Sequence, residues 1–377
     1  MVTPAVPGVE ASMSFGGREY TLSGPLHSMT HIRGWEYPCS YVICEVFNPH
    51  TELMNEFMNY GVVTIKYGRN GVYLGPIDME IISVENDIEF SMLKIRVTAI
   101  EPGFLRLTED VKMRSFPNQS VSSAIGTMAF NAGVQTTGIK ETSGQYTFLQ
   151  TNQTDLEFMT KHLIPIATDS SKSAPYLWTI DNNIFHLRPP NLEKKPQFEF
   201  ILDPSKDTLV KRFDIVNKGM AADTTYGNEY TTYGYNSIKG ELIECCYTPT
   251  SANPINMSNF PYQSNFKRKE VLPYEEMWML DAHNRNNIAR AGFIVGAEAV
   301  VVGSVNLFFD DVVQFTAENF EKQPTEYSGK YYVYSVRNTL KVNLFLTEMN
   351  LVSNAFLKAE TTKAPQRNRP SSAPNLR

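Results

Sequence analysis

The stretch QTNQTDLEFMTKHLIPIATDSSKSAPYLWTIDNNIFHL (residues 150–187) decides the fold class, because it joins a short helix to a β-hairpin. Thr154 and Glu157 have the spacing of a capping box, in which the hydroxyl and the carboxylate each accept a hydrogen bond from the other residue's backbone amide. Apolar residues then recur at steps of three and four and predict one buried helical face. They are Leu156, Met159, Leu163 and Ile166. Pro165 lacks an amide hydrogen and limits this helix to about three turns.

The second half of the stretch predicts the hairpin. Residues 176–180 (YLWTI) and 184–187 (IFHL) are rich in aromatic and aliphatic side chains. Asp181, Asn182 and Asn183 lie between them and favour a turn. Taken by itself, the whole stretch is typical of a small α+β module that carries no chemistry.

Size and composition indicate a multidomain chain rich in β structure. Its 377 residues predict about two to three domains. Apolar residues make up 42% of the sequence, enough for ordinary cores, and 12% aromatic residues favour strands. The net charge of −6 argues against a general basic surface for nucleic acid.

Targeting signals and cysteines place few constraints on the chain. Residues 1–17 lack the features of a signal peptide, and no apolar run approaches the about 18 residues of a membrane span. We therefore expect no secretory signal and no membrane span. Cys39, Cys44, Cys245 and Cys246 are expected as free thiols in a reducing compartment. On a strand, Cys245 and Cys246 would point to opposite faces.

Alternating apolar residues predict an antiparallel sheet over residues 20–110, open or closed as a barrel. The strand candidates are 41–47, 62–67, 72–74, 77–81 and 93–99. Asn70-Gly71 supplies the positive φ of a tight hairpin turn. Residues 51–60 carry apolar side chains at helical spacing, which predicts one short helix beside the sheet.

The middle of the chain mixes helical and irregular patterns. Residues 120–134 predict a helix, which joins the opening stretch in an α+β domain. Residues 220–240 and 251–269 are weakly patterned and predict surface loops, and residues 274–291 predict a helix. Four tyrosines in the first loop either form an interaction surface or pack locally. They are Tyr226, Tyr230, Tyr233 and Tyr235.

The C-terminal part returns to β structure. Strands are predicted at 198–202, 210–216, 298–302, 305–309, 331–336 and 340–346. In the last of these, Val342, Leu344 and Leu346 alternate with polar residues and are expected to face a core. Beyond residue 356, the low apolar content predicts a disordered basic tail.

The usual catalytic signatures are absent, including the phosphate-binding loop, GxSxG, HExxH and the dinucleotide fingerprint. His27 and His31 would share one face of a helix, but the glycines and proline around them argue against a helix and a metal site. His162 and His186 could meet, and then a structural hydrogen-bonded pair is expected. Neither Asp281 nor His283 has a third partner for catalysis.

One pair of adjacent carboxylates, Asp310-Asp311, follows Phe308-Phe309 where a turn is expected. Solvated turn residues are the favoured interpretation, and a glycosidase pair is the alternative. We therefore predict a protein that is not an enzyme, with no catalytic residues, no cofactor and no metal.

The order of the blocks resembles the central baseplate hub protein of contractile-tailed, T-even-like phages, and the hub part of the VgrG spike of type VI secretion is similar. The resemblance rests first on residues 154–159 (TDLEFM) with the hairpin 176–187. Its second basis is residues 276–311, 329–336 (GKYYVYSV) and 342–346, which look like the closing barrel of that family. The likeness covers most of the chain in order and length.

The resemblance implies an α+β, mainly β fold with two tube-like antiparallel β-barrel domains, an inserted α+β domain and a loop-rich insertion. The implied domains are a first tube-like β-barrel (1–110), the α+β domain (111–197), a second tube-like β-barrel (198–216 and 292–356), a loop-rich and helical insertion (217–291) and a disordered basic tail (357–377).

The resemblance also implies a function. Such hubs are homotrimers that join the tail tube protein to a trimeric cell-puncturing spike and form part of the DNA ejection channel. Baseplate wedge and tape-measure proteins are further partners, and genomic DNA passes through without specific binding. The implied location is the tail baseplate of the virion, assembled in the host cytoplasm. The alternative is a tail-associated adhesin or carbohydrate-binding β protein, to which the tyrosine-rich loop could belong.

Overall fold

The computed structural model of the chain describes residues 8–47, 57, 59, 61–89, 92–169, 176–191, 194–202, 209–216, 229–247, 267–291, 295–317 and 328–353. The tail predicted over 357–377 lies outside the described residues, as does the helix predicted over 51–60 apart from Phe57 and Asn59. The loop predicted over 251–269 is described only from Lys267 onward.

Strands dominate the chain and fall into four groups. The first β block consists of β1 (Val9–Phe15), β2 (Arg18–Thr21), β3 (Leu26–Gly34), β4 (Tyr41–Phe47), β5 (Val62–Arg69), β6 (Val72–Glu89) and β7 (Met92–Ile100). The α+β module consists of α1 (Pro102–Glu109), β8 (Lys112–Gln119), α2 (Val121–Asn131), β9 (Tyr146–Gln153), α3 (Asp155–Phe158), β10 (Leu177–Asp181) and β11 (Ile184–Arg188).

The remaining two groups are interleaved along the chain. The insertion sheet consists of β14 (Glu229–Asn236), β15 (Glu241–Tyr247) and β16 (Lys267–Val271), followed by the helix α4 (Met277–Ala291). The second β block consists of β12 (Phe198–Leu202), β13 (Val210–Val216), β17 (Val295–Val302), β18 (Val312–Ala317), β19 (Gly329–Lys341) and β20 (Leu344–Ser353).

One sheet runs through both β blocks. Its strand order is β13-β17-β20-β19-β3-β4-β7-β6-β5-β1-β2, with β18 beside β19 and β12 beside β18. The neighbouring strands are antiparallel, except that β12 and β18 are parallel. The predicted mainly β, antiparallel fold is confirmed. Among the described strands, neither block closes into a hydrogen-bonded barrel, so this part of the prediction is not observed.

The two β blocks meet where β3 pairs with β19, from Gly34 opposite Ser335 to Ser28 opposite Lys341. We call this pairing the seam. Gly34 has a φ of 137°, and a Cβ at this position would lie 2.5 Å from the Ser335 Cα. Since backbone atoms cannot move aside as a side chain can, only glycine permits this close approach at one end of the seam.

Among the described residues, buried apolar side chains form three large cores and one smaller cluster. The first core lies under the first β block and also contains Val305, Leu340 and Phe345, which come from the C-terminal part of the chain. The second core lies within the second β block, where the rings of Phe213 and Phe315 stack with centroids 4.7 Å apart. The third core joins the α+β module to α4 and the insertion sheet.

Local turn and cap chemistry agrees with the sequence-based predictions. Thr154 Oγ1 accepts from the Glu157 amide at 3.2 Å, and the Glu157 carboxylate accepts from the Thr154 amide at 3.1 Å, which confirms the capping box. Asn182 and Asn183 both have positive φ and turn the hairpin between β10 and β11, as predicted. The α3 helix continues as a π-helical turn, Met159–Leu163, and a 3₁₀ turn, Ile164–Ile166.

The prediction of a single strand over residues 340–346 is wrong. β19 ends at Lys341, Asn343 adopts a φ of 59°, and β20 begins at Leu344. Because this turn reverses the chain, Val342 is exposed, and Phe345 faces the first core. An alternating apolar pattern does not reveal a turn when a single asparagine supplies the left-handed residue.

The prediction of surface loops over residues 220–240 is also wrong where the chain is described. Residues 229–236 form β14, the central strand of the insertion sheet. Tyrosine and threonine favour strands, and this preference outweighs one glycine. Gly234 packs against Tyr274, which lies just before α4. A Cβ at position 234 would be 2.2 Å from the Tyr274 carbonyl oxygen.

Candidate functional site

The first β block, the α+β module and the second β block meet at one site, which we call the three-way junction. Its central residues are Arg33 and Trp35 from the first block, Asp181 and Arg188 from the hairpin β10–β11, and Asp310 and Tyr332 from the second block.

A buried ion pair attaches the hairpin to the first β block. Arg33 Nε donates to Asp181 Oδ1 at 2.7 Å, and Arg33 Nη2 donates to Asp181 Oδ2. The two side chains are only 3% and 5% exposed. Burial by itself would raise the pKa of Asp181, but the Arg33 charge offsets it and holds this pKa below its ordinary value. The carboxylate is therefore ionised, and the guanidinium fork binds both of its oxygens.

Glu101, which directly follows β7, fixes the turn of the same hairpin. Its carboxylate accepts from the amides of Asn182 and Asn183 at 2.6 and 3.1 Å and from the Ser40 hydroxyl at 2.7 Å. Burial raises the pKa of Glu101, although the hydrogen bond from Ser40 opposes this shift. Two backbone amides of the hairpin turn thus have their acceptor on the first block.

Two ion pairs attach the hairpin exit to the second β block. Arg188 Nη2 lies 2.8 Å from Asp310 Oδ2, and Lys194 Nζ lies 3.1 Å from Asp311 Oδ1. Asp310 has a φ of 75°, so a turn is present as predicted. The prediction that solvent surrounds Asp310 and Asp311 is wrong. Both carboxylates are mostly buried, and each pairs with a cation of residues 188–194, which follow the hairpin turn.

Aromatic side chains form the centre of the junction. Trp35 Nε1 donates to the Tyr332 hydroxyl at 2.7 Å, and that hydroxyl donates to Asp310 Oδ1 at 2.6 Å. The Trp35 ring meets the Phe309 ring edge-on, with centroids 5.1 Å apart, and the Arg188 guanidinium lies over Trp35. Burial and then the Asp310 charge raise the pKa of Tyr332 well above its ordinary value, so the hydroxyl keeps its proton.

Residues 303–311 connect the junction to two of the cores, and we call them the connecting segment. Val305 packs in the first core, Leu307 in the second core and Phe309 in the aromatic cluster of the junction. The segment forms turns, so the strand predicted over 305–309 is wrong. Its alternating burial produces the same sequence pattern as a half-buried strand.

A cavity of about 430 Å³ opens at the junction. Its charged lining residues are Arg33, Asp181, Arg188, Lys194, Asp310 and Asp311. The three cations and three carboxylates are the partners of the three ion pairs described above. Each of these six charges is neutralised by its partner, and the three pairs hold the three blocks together. None of the six is left unpaired in the cavity to bind a ligand.

A chain of buried polar side chains crosses the seam between the β blocks. His31 Nδ1 lies 2.9 Å from the Tyr67 hydroxyl, and Asn338 Nδ2 donates to that hydroxyl at 3.0 Å. Thr347 Oγ1 donates to Asn338 Oδ1 at 2.7 Å. Burial and then the Arg33 charge lower the pKa of His31 to about 3, so its ring is neutral. Buried polar chains of this kind favour one pairing of the strands over its alternatives.

The structure separates the histidines that the sequence analysis considered together. His27 is exposed, whereas His31 is fully buried. His162 bonds to Gln153, and His186 packs against Trp35, so the two do not form the expected pair. In the described ranges, no group of three or more His, Cys, Asp or Glu side chains is placed to hold a metal ion.

Arg33, Trp35 and Tyr332 belong to no motif in the sequence that predicts a site. Arg33 follows the mixed stretch LHSMTHI (residues 26–32), which gives no local signal of a buried cation. No local pattern could have assigned Tyr332, since its hydrogen bond to Trp35 spans 297 residues.

The predicted tyrosine cluster lies partly on one open face of the insertion sheet. Tyr235 is 56% exposed and lies opposite Leu242, which is 70% exposed. Val271, on the neighbouring strand, is 80% exposed. Tyr226 lies outside the described residues. We call the surface of Tyr235, Leu242 and Val271 the insertion-sheet face.

Comparison with known proteins identifies the class of fold. No protein-family model matches the sequence. No curated protein sequence matches it either. Among solved structures, a tail protein from Neisseria meningitidis MC58 is similar, with a TM-score of 0.64 and 10% identity over 92% of this chain and 97% of that chain. The 43 kDa tail protein of prophage MuSo2 from Shewanella oneidensis has a TM-score of 0.63 and 14% identity over 92% and 98%.

A third similar structure comes from a type VI secretion system. It is the E. coli c3393 protein, a component of the type VI secretion system with structural similarity to the bacteriophage T4 tail proteins gp27 and gp5. The TM-score is 0.50 with 8% identity, over 90% of this chain and 76% of that chain. The chain therefore has the fold of these phage tail proteins, and the predicted resemblance to hub proteins is confirmed at the level of fold.

No helix among the described residues is both long enough and apolar enough to cross a membrane.

Proposed function

We propose that the chain is a structural, non-enzymatic hub of a phage tail baseplate, a homotrimer that joins the tail tube to a cell-puncturing spike. The observation that carries this proposal is the single sheet that runs through both β blocks across the seam. Three copies with two such blocks each would give a ring of six similar walls, which suits a sixfold tube. Three α+β modules would suit a threefold spike. The fold likeness to tail proteins supports this assignment.

In this proposal, residues 1–110 and residues 198–216 with 292–356 are the two tube-like barrels, completed within the ring. Residues 111–197 and the insertion 217–291 lie outside it. The sheet surface turned away from the cores lines the DNA ejection channel, and the assembled location is the tail baseplate of the virion, built in the host cytoplasm. Baseplate wedge and tape-measure proteins are further partners at the periphery.

The charges on that outer surface suit a passage through which DNA slides. Arg212 lies 3.0 Å from Glu298, and Lys94 lies 3.0 Å from Glu45, both across neighbouring strands. Each of these cations is neutralised by a carboxylate on the adjacent strand. A polyanion therefore meets no row of unpaired cations at these positions, and electrostatic retention is weak.

The mass of the purified chain in solution and images of single particles test the proposal. We expect the mass of a trimer and a threefold ring with a central hole. Light scattering that gives a monomer at micromolar concentration, alone and with the spike protein, would contradict it. Ring-shaped particles that lack a hole would contradict the channel but not the hub.

The insertion-sheet face favours a second candidate, a tail-associated adhesin that binds carbohydrate. Exposed tyrosine rings stack on sugars, and Tyr235 is open to such contact. Binding of the chain to a glycan array, lost in Tyr235→Ala, would support this function. A glycan-binding monomer would replace the hub proposal with this one.

A further inference from the structure

The strands of the main sheet have two ends, and the three-way junction occupies one of them. Gly34 ends β3 and Ile100 ends β7 at that end, and Trp35 and Glu101 of the junction follow directly. The antiparallel registers define the other end, which we call the distal rim. The β19–β20 turn belongs to this rim, because Lys341 at the end of β19 lies opposite Ser28 of β3. The β6–β7 tip also belongs to it, because Lys94 of β7 lies opposite Phe47, the last residue of β4.

The distal rim carries large exposed aliphatic side chains at three places. Leu209 is 65% exposed and precedes β13, where its carbonyl accepts from the Val302 amide. Val342 is 59% exposed in the β19–β20 turn, and Ile88 is 76% exposed at the β6–β7 tip. Strand ends and turns favour Gly, Asn, Asp and Ser, so aliphatic side chains at these positions add nothing to the turns themselves.

Each β block contributes to this set, and the charges beside the tips differ. The first block contributes Ile88 of β6, and in the same hairpin Glu85 lies 3.9 Å from Arg96 of β7. The second block contributes Val342, which directly follows Lys341, and Leu209. One copy therefore presents an apolar tip from its first block and a basic apolar tip from its second block.

We infer that the distal rim docks on the end of the tail tube, and that Ile88, Val342 and Leu209 fill apolar sockets there. This inference rests on the proposed hub function. The partner surface it fits is a ring end with shallow apolar sockets, bordered by acidic groups where Val342 enters beside Lys341. Three copies with two tips each give six tips, which match a sixfold ring. The junction end carries one α+β module per copy, so three copies give only three modules there.

The test uses the full chain and purified tail tube protein assembled into tubes. The rim variant combines Ile88→Ser, Leu209→Ser and Val342→Ser. The matched control combines Ile238→Ser, Leu242→Ser and Val271→Ser, three aliphatic residues of comparable exposure in and beside the insertion sheet. Because all six side chains are exposed, both variants are expected to keep the wild-type melting temperature and mass.

Co-sedimentation with the tubes gives the readout. We expect the rim variant to bind at least about tenfold more weakly than wild type, and the control to bind within about twofold of wild type. Wild-type-like binding by the rim variant overturns the inference, as does an equal loss in the control. A rim variant that loses its trimeric mass assigns the rim to contacts between copies and also overturns it. A wild-type chain that is not a trimer, or that binds no tube, refutes the proposed function instead.

A charge exchange tests the stated chemistry of the sockets. Lys341→Glu reverses the basic tip of the second block and is expected to weaken binding to the tubes more at low salt than at high salt. Lys239→Glu, in the turn of the insertion sheet, is the control. Equal salt profiles for the two variants contradict the acidic border assigned to the Val342 socket.

Discussion

Trp35 and Tyr332 are joined by a hydrogen bond of 2.7 Å between the indole Nε1 and the phenol oxygen, across 297 residues of sequence. The same phenol donates to Asp310, which binds Arg188 of the hairpin. One buried hydroxyl thus links all three blocks of the junction, and both of its hydrogen-bond roles are used. The loss of either partner leaves a buried polar group unsatisfied.

Removal of either side of this bond should cost stability. Trp35→Phe leaves the Tyr332 oxygen without its donor, and Tyr332→Phe leaves both Trp35 and Asp310 unsatisfied. We expect losses of about 1–3 kcal/mol in the free energy of unfolding for each variant. Urea denaturation of the two single variants and the double variant gives the coupling, which should exceed about 0.5 kcal/mol. Additive losses would show that the bond does not couple the blocks.

The Arg33–Asp181 pair should be far more sensitive to substitution than an exposed pair. Asp181→Asn leaves a buried guanidinium without its counter-charge, and we expect a loss of about 3–5 kcal/mol in the free energy of unfolding. Glu298→Gln, at the exposed pair with Arg212, serves as the control and should cost less than about 1 kcal/mol. Similar losses at the two sites would argue that the buried pair contributes little to the attachment of the hairpin.

Gly34 at the seam should tolerate no side chain. In Gly34→Ala the new Cβ would lie 2.5 Å from the Ser335 Cα, so the two β blocks must separate locally. Gly71→Ala is the matched control, because Gly71 also has positive φ but has no atom within 4 Å of its ideal Cβ. We expect Gly34→Ala to lower the melting temperature clearly more than Gly71→Ala, whose cost is about 1 kcal/mol of backbone strain. Equal shifts would mean that the seam can open without penalty.

The neutral state of His31 makes stability depend on pH. Burial and the Arg33 charge lower its pKa from the ordinary 6.5 to about 3 in the fold, whereas the unfolded chain binds a proton below about 6.5. The unfolded state therefore binds more protons between these values, and this contribution to stability is complete above pH 6.5 and declines as the pH falls toward 3. The slope from this residue alone is about 1.4 kcal/mol per pH unit.

His31→Gln isolates that contribution, since the amide stays neutral at every pH and can still bond to Tyr67. The free energy of unfolding, measured in urea at about pH 7.5, 6.5, 5.5 and 4.5, should fall less steeply with falling pH for the variant than for wild type. The other groups near His31, Arg33 and Asp181, are present in both proteins, so their contributions cancel in the comparison. Parallel curves would show that His31 titrates normally in the folded chain.

The sequence predicts those features that neighbouring residues determine. The capping box at Thr154 and the hairpin turn at Asn182 follow from side chains that bond or bend their own backbone. The likeness to hub proteins follows from the order of such elements. By contrast, Asp310 was misjudged as solvated because its partner Arg188 is distant in sequence. A charged turn that is covered by another block has the same local pattern as an exposed one.

Ambiguous periodicity explains the other errors. Alternating burial in the connecting segment predicts a strand, yet Val305, Leu307 and Phe309 alternate because they enter different apolar clusters. The pattern that ends at Leu346 likewise conceals a turn at Asn343. In both cases the period is correct, and only the tertiary contacts distinguish a strand from a turn.

The presence of Val305, Leu340 and Phe345 in the first core has a consequence for how the protein is made. Domains generally fold during synthesis as they leave the ribosome, N-terminal parts first. The first β block cannot complete its interior in this way, because three residues of that interior are synthesised only after the α+β module and the insertion sheet. A chain that stops before Phe345 therefore leaves the first core open, and its first β block is as unfinished as its second.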